Sequence, residues 1–274
     1  MQASMNAPFK IHNSTVVLTG GLGQLGRQFS RALLQQGARV AVLDCRAAPA
    51  KPSDFLGIRV PRNRYLCLEA DVTRKASLED ALRCLPKSWG VPTGLINNAA
   101  VDAPPGSRPD AHGPLESFSE KEWDRTFETN AKGVFLSCQV IGGTMARSRQ
   151  GSIINISSIY GMVSPDPRVY AYRKKTGKPF YKPAAYGASK ASLLNLTRYL
   201  AVYWAGKVRV NTLTLGGVFN RQDKAFLKGY KARVPMGRMA REDEYNAAVI
   251  FLLSGASSYM TGSNLVIDGG WTAW

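Results

Sequence analysis

Short apolar runs recur from one end of this chain to the other, and their rhythm constrains the fold more than any other feature. They fall at 14–19, 40–44, 65–69, 94–97, 152–157 and 209–213. Each is rich in Val, Ile and Leu and nearly continuous instead of alternating. Runs of that kind are strands buried on both faces, as in a parallel sheet. The segments between them, for example 24–36 and 77–85, space their apolar residues with a helical period. Strand and helix alternating in this way predict an α/β fold built on a doubly wound parallel sheet. A last strand at 264–267 runs into the turn Asp268-Gly269-Gly270, which makes about seven strands.

With neither an internal repeat nor a linker, 1–274 is expected to form one domain, and that length suits one large core. Two stretches break the rhythm. Residues 102–114 are rich in Pro, Gly and Asp and read as a loop. Residues 162–183 mix prolines, tyrosines, lysines and arginines without periodicity and read as an insertion.

Composition narrows the class. An apolar content of 45% fits a globular protein and excludes a disordered or fibrous one. Met1 to Lys10 hold no apolar run that could act as a signal peptide, and no uncharged apolar stretch reaches the roughly 18 residues of a membrane span. The cysteines, Cys45, Cys67, Cys84 and Cys138, are scattered and expected to be reduced thiols, consistent with a cytoplasmic protein. His12 and His112 stand far apart, so no metal site is expected. The formal net charge of +17 allows three readings: a solvated basic surface, attraction of an anionic substrate, or a nucleic-acid or acidic membrane partner.

Chemistry enters at the first strand's end. Thr19-Gly20-Gly21-Leu22-Gly23-Gln24-Leu25-Gly26 leads into a helix. Glycines there permit a tight turn and let the backbone approach a pyrophosphate at the helix N-terminus. Gly20, Leu22, Gln24 and Leu25 are the turn positions assigned to such a dinucleotide. Asp44 closes the second run, where a carboxylate accepts hydrogen bonds from ribose hydroxyls and repels a 2′-phosphate, so NAD is favoured over NADP. Arg46, two residues on, works against that preference.

Further motifs follow in order: Asp71-Val72, Asn97-Asn98-Ala99-Ala100, Asn130, Ile156-Ser157-Ser158, Tyr186-Gly187-Ala188-Ser189-Lys190 and Asp268-Gly269-Gly270. With the glycine turn, this ordered set resembles the short-chain dehydrogenase/reductase family from Val16 to Trp274. The resemblance implies a single-domain Rossmann fold and an NAD(P)-dependent oxidoreductase that interconverts a secondary alcohol and a ketone. Tyrosine and lysine at i and i+4 share one helix face. Moving a phenol from a pKa of about 10 toward neutrality needs roughly 4 kcal/mol of preferential phenolate stabilisation. A nearby ammonium and the positive ring of oxidised nicotinamide are sources of it. The resemblance makes Tyr186 the general acid–base and gives Lys190 the nicotinamide ribose. It has Ser158 hydrogen-bond the substrate oxygen, with Ser157 as the neighbouring candidate. Ser158 is preferred for its spacing to Gly161. Asn130 would link Lys190 to solvent through a water. It further implies adenine contacts at Asp71 and Val72, a ribose neighbour in Asn98 and a carboxamide contact at Val218. Members of the family are commonly dimers or tetramers, so a homodimer or homotetramer is implied.

Three departures from the family pattern stand out. Gln24 occupies the turn's middle glycine position, and the spacing Gly20-x-x-Gly23-x-x-Gly26 is similar to that of the extended sugar-nucleotide branch. Leu215-Gly216 replaces the common Pro-Gly. Ser158 and Tyr186 lie about twice as far apart as usual, the extra segment holding Tyr170, Tyr172, Arg173, Lys174, Lys175, Lys178, Phe180, Tyr181 and Lys182. It is expected to loop out at the active-site mouth. There a basic and aromatic rim suits a phosphorylated or nucleotide-linked sugar, with a solvated loop or subunit contact as the alternative. A narrower resemblance, to dehydrogenases of bacterial surface-sugar and flagellin-glycan synthesis, rests on this segment and the closing residues. Two other function classes compete: a cofactor-sensing regulator or nucleic-acid binder, and a sugar-nucleotide epimerase or dehydratase.

Overall fold

Seven strands pair in parallel in the order β3-β2-β1-β4-β5-β6-β7. They are β1 (Thr15–Thr19), β2 (Arg39–Asp44), β3 (Tyr65–Glu69), β4 (Gly94–Asn97), β5 (Ser152–Ser158), β6 (Arg209–Leu215) and β7 (Asn264–Ile267). The structure is a computed structural model that describes residues 9–175, 177 and 179–274. Lys178, counted above in the basic segment, lies outside the described residues, as do residues 1–8.

β1, β4 and β5 are buried along their whole length, which is why their sequences are apolar without alternation. One core cluster packs Val17, Leu95 and Ile153 against Leu193, Leu200 and Trp204 on one face of the sheet. A second packs Val16, Leu18 and Ile154 against Phe29, Leu33 and Val249 on the other. Strand order reverses between β1 and β4, and a crevice opens there beyond the carboxyl ends of the strands.

Two strands run further than their apolar content suggests. β6 extends to Leu215 because the polar Thr214 is fully buried and donates from Oγ1 to Asn264 Oδ1 of β7 at 2.7 Å. β5 continues to Ser158, in register with Leu215. The helix expected at 77–85 spans Lys75–Arg83. It starts two residues early because Lys75 and Ala76 precede its first large apolar residue, Leu78.

The segment 162–183 is not a free loop. Asp166 accepts a hydrogen bond from Arg168 N at 2.8 Å and pairs with Arg233 at 2.6 Å, opening a 3-10 turn, Pro167–Tyr170, and a short helix, Ala171–Lys175. Val169, Tyr170 and Phe180 are buried in a third cluster with Phe226, Tyr230 and Trp271. Part of the segment therefore builds a small aromatic core, and Tyr170 and Tyr172 also border the crevice.

Candidate active site

The helix Ala184–Tyr203 begins after Pro183 and carries Tyr186 and Lys190 on successive turns of one face. Lys190 is 3% exposed, and its Nζ donates to Ile156 O of β5 at 2.9 Å. Burial pulls its pKa down to about 8, against a smaller upward effect of the Asp102 charge. Burial pushes the Tyr186 hydroxyl above the ordinary tyrosine value, and Asp102 pushes in the same direction; a hydrogen bond with the Ser158 hydroxyl counters them. Desolvation thus outweighs the phenolate stabilisation these groups provide, so a shift toward neutrality would need further positive charge.

The two serine candidates separate cleanly. Ser157 Oγ donates to the backbone carbonyl of Lys190 at 2.9 Å and ties strand to helix. Ser158, one residue on, accepts from Tyr160 N at 3.2 Å and lines the same cavity as Tyr186, whose hydroxyl pKa it draws downward. Asn130 is completely buried in a π-type turn, Glu128–Lys132, within a longer helical stretch. Its Oδ1 accepts from Val101 N at 2.8 Å, and its Nδ2 donates to Val101 O at 3.0 Å and Ser189 Oγ at 3.1 Å. Its side-chain amide is thus committed to Val101 and Ser189, and none of its hydrogen bonds among the described residues goes toward Lys190.

On the other side of the crevice, Gly20 turns with φ +65°. The Thr19 hydroxyl accepts hydrogen bonds from Asn98 N and Ala99 N at 3.1 Å, and Asn98 Nδ2 donates to Gly20 O at 2.9 Å. Asn98 therefore locks the end of β4 to the glycine turn. Asp44, 5% exposed, accepts from Leu22 N at 2.9 Å and pairs with Arg46 at 2.9 Å. Burial raises its carboxyl, but these hydrogen bonds prevail and hold it below the ordinary carboxylate value. Gln24 Nε2 donates to Phe219 O at 2.9 Å, bridging the turn to the loop after β6.

Tyr186, Lys190, Ser158, Leu25, Asn98 and Val218 all line one cavity of about 580 Å3. Leu22 and Gln24 line a second, beside Arg27 and Arg241. Asp71 and Val72 line neither: Asp71 Oδ1 accepts from Thr73 N at 2.9 Å, and Val72 is buried in the core against Gly133. The segment 162–183 contributes Tyr170, Tyr172, Arg173 and Lys182 to the main cavity. Sequence reading missed Asp102, Tyr160, Arg221 and Tyr230, which also line it. Only their neighbourhood to recognised motifs could have signalled them. No group of three or more His, Cys, Asp or Glu side chains among the described residues is placed to hold a metal ion. Nor is any helix among them long and apolar enough to cross a membrane.

A model of the short chain dehydrogenase family matches residues 14–228. The chain belongs to the short-chain dehydrogenase family. It is 30% identical to the D-threitol dehydrogenase of Mycolicibacterium smegmatis over 279 residues, covering 99% of this chain and 97% of that protein. A short chain dehydrogenase from Leptospira borgpetersenii, solved with bound NAD+, has a TM-score of 0.82 at 30% identity, over 96% of this chain and 94% of that one. A gluconate 5-dehydrogenase from Burkholderia cenocepacia, solved with NADP and tartrate, has a TM-score of 0.81 at 25% identity, over 98% of each chain. Membership makes the chain an oxidoreductase of the short-chain type. The two solved structures hold different nicotinamide cofactors, so kinship leaves the choice to this chain's own residues.

Proposed function

We propose that the protein interconverts a secondary alcohol and a ketone on a polyhydroxylated, sugar-like metabolite. The observation that carries this reading is the convergence of Tyr186, Ser158 and Lys190 on one cavity at the carboxyl ends of the strands. The crevice suits a dinucleotide: a Cβ on Gly20 or Gly26 would fill the turn's close approaches, and Asp44 presents a buried carboxylate at the end of β2. A nicotinamide dinucleotide bound there supplies the hydride acceptor or donor. Gly20, Leu22, Gln24 and Leu25 would border it, with Asp44 at the adenosine ribose, Asn98 beside the turn and Val218 near the carboxamide. Asp71 and Val72 would flank the adenine. Ser158 holds the substrate oxygen, and Tyr186 Oη takes the proton from the alcohol or returns it to the ketone. Lys190, charged below a pH of about 8, favours the phenolate during that transfer.

The M. smegmatis relative is a polyol dehydrogenase by its name, which supports a hydroxylated substrate. Arg173 and Arg221 at the cavity wall would suit an anionic group on it. The reading also includes a homo-oligomer and a cytoplasmic enzyme.

A panel of polyols, sugars and sugar acids, followed by NADH or NADPH absorbance, tests the proposal; turnover of none of them, in either direction, would overturn it. NAD is expected to be preferred. Asp44→Ala is expected to move the ratio of kcat/KM values toward NADP by about 10- to 100-fold, since a like-charge encounter costs several kcal/mol. An unchanged ratio would show that Arg46 already neutralises Asp44.

A further inference from the structure

Lysine is almost never buried without a partner, yet the side chain of Lys182 is 7% exposed within the cavity wall. It is paired with Asp102, which comes from the loop after β4, far away in sequence. The two segments that broke the sequence rhythm are thus joined by one ion pair inside the cavity. Its place is unusual: Lys182 Nζ stands 4.6 Å from the centroid of the Tyr186 ring and 5.9 Å from that of Tyr160. A cation over an aromatic face is attracted to it, so the ammonium is held above the very side chain that moves the proton.

The pair's unused valences point to its purpose. An ammonium has three donors, and Asp102 is the only hydrogen-bond acceptor of Lys182 among the described residues. Asp102 Oδ1 also accepts from Ala103 N at 2.7 Å, while its Oδ2 carries no hydrogen bond among the described residues. Asp102 remains 40% exposed. Asp102 Oδ2 and Lys182 Nζ therefore keep hydrogen-bonding capacity beyond their mutual pair, and both residues line the cavity. A hydroxyl group, which both donates and accepts, satisfies both partners at once. A carboxylate or phosphate at the same spot would meet Asp102 as a like charge. An ion pair with one partner open to solvent adds little stability by itself, which argues against a purely structural role.

The geometry points to Asp102 and Lys182 as a specificity pair that binds the hydroxyl on the carbon next to the reacting one, selecting vicinal diols over simple secondary alcohols. This rests on the alcohol–ketone reading above and deepens it. Glycerol and isopropanol make the test, because isopropanol is glycerol without its flanking hydroxyls. In Lys182→Met, the ratio of kcat/KM for glycerol to that for isopropanol is expected to fall about 10- to 100-fold, the worth of hydrogen bonds to charged groups. Asp102→Asn should lower the ratio less, and Lys182→Arg should restore part of it. An unchanged ratio in Lys182→Met overturns the proposal. Saturation-transfer NMR with the same two alcohols provides a readout independent of turnover. A loss of glycerol signal relative to isopropanol in the variant supports the pair, and equal signals overturn it. Wild-type protein that turns over neither alcohol nor any ketone counts against the proposed function, while the NMR comparison still decides the pair.

Discussion

Tyr186→Phe is expected to cut turnover by about 10²- to 10⁴-fold, the usual worth of a positioned general acid–base, while leaving NADH affinity nearly unchanged. The substitution removes one oxygen from a partly buried ring and adds no atom. The ring keeps its packing and its contact with Lys182. What is lost is the hydroxyl that pairs with Ser158, and with it the route for the proton. Steady-state kinetics and a fluorescence titration with NADH separate the two effects. Undiminished turnover would remove Tyr186 from the chemistry and shift attention to Tyr160, which lines the same cavity. Loss of NADH binding instead would make the residue structural. Ser158→Ala is the natural companion: it deletes the hydrogen bond that offsets burial at Tyr186, so its pH–rate profile should move to higher pH.

How far this site could be read from sequence depended on whether its signal was local. Tyr186 and Lys190 share a face by helical arithmetic alone, and the strands were legible because burial on both sides leaves unbroken apolar runs. Strand ends were not, since Thr214 is polar yet buried through a partner, Asn264, that only the fold supplies. The same holds for the pair beside Tyr186. Asp102 and Lys182 meet across 80 residues, one within a proline-rich loop and the other within an aperiodic segment, and no pattern of spacing foretells that. The basic, aromatic character of 162–183 was visible. That its Val169, Tyr170 and Phe180 would be buried as a small core was not, because a cluster fed by Phe226, Tyr230 and Trp271 has no period of its own. Asn130 shows a third case. The residue was singled out by resemblance, but its grip on Val101 follows from a π-type turn that no local propensity announces.

The glycine turn allows a comparison within a single motif. Read as Gly20-x-x-Gly23-x-x-Gly26, it gives its three glycines equal standing, but their surroundings differ. A Cβ on Gly26 would lie 2.3 Å from Gly20 O and 2.6 Å from Gly21 Cα. Both obstacles are backbone, so no side chain can move aside and the helix Gln24–Gln35 must withdraw from the turn. Gly26→Ala is therefore expected to cost about 1–3 kcal/mol, as overpacking does. In a chain of this size that lowers Tm by several degrees, at about 2–4 °C per kcal/mol. Cofactor affinity should fall more steeply than stability, because the withdrawn backbone is the surface that would meet the pyrophosphate. Gly23 is the control. Its φ is −77°, and its Cβ would meet nothing closer than Gly20 O at 3.4 Å, so Gly23→Ala should change Tm by less than about 2 °C. Thermal denaturation and NADH titration of both variants provide the comparison. If the two substitutions prove equally damaging, the close approach at Gly26 is not what this turn requires, and the spacing itself would have to be explained by a contact with the dinucleotide at Gly23.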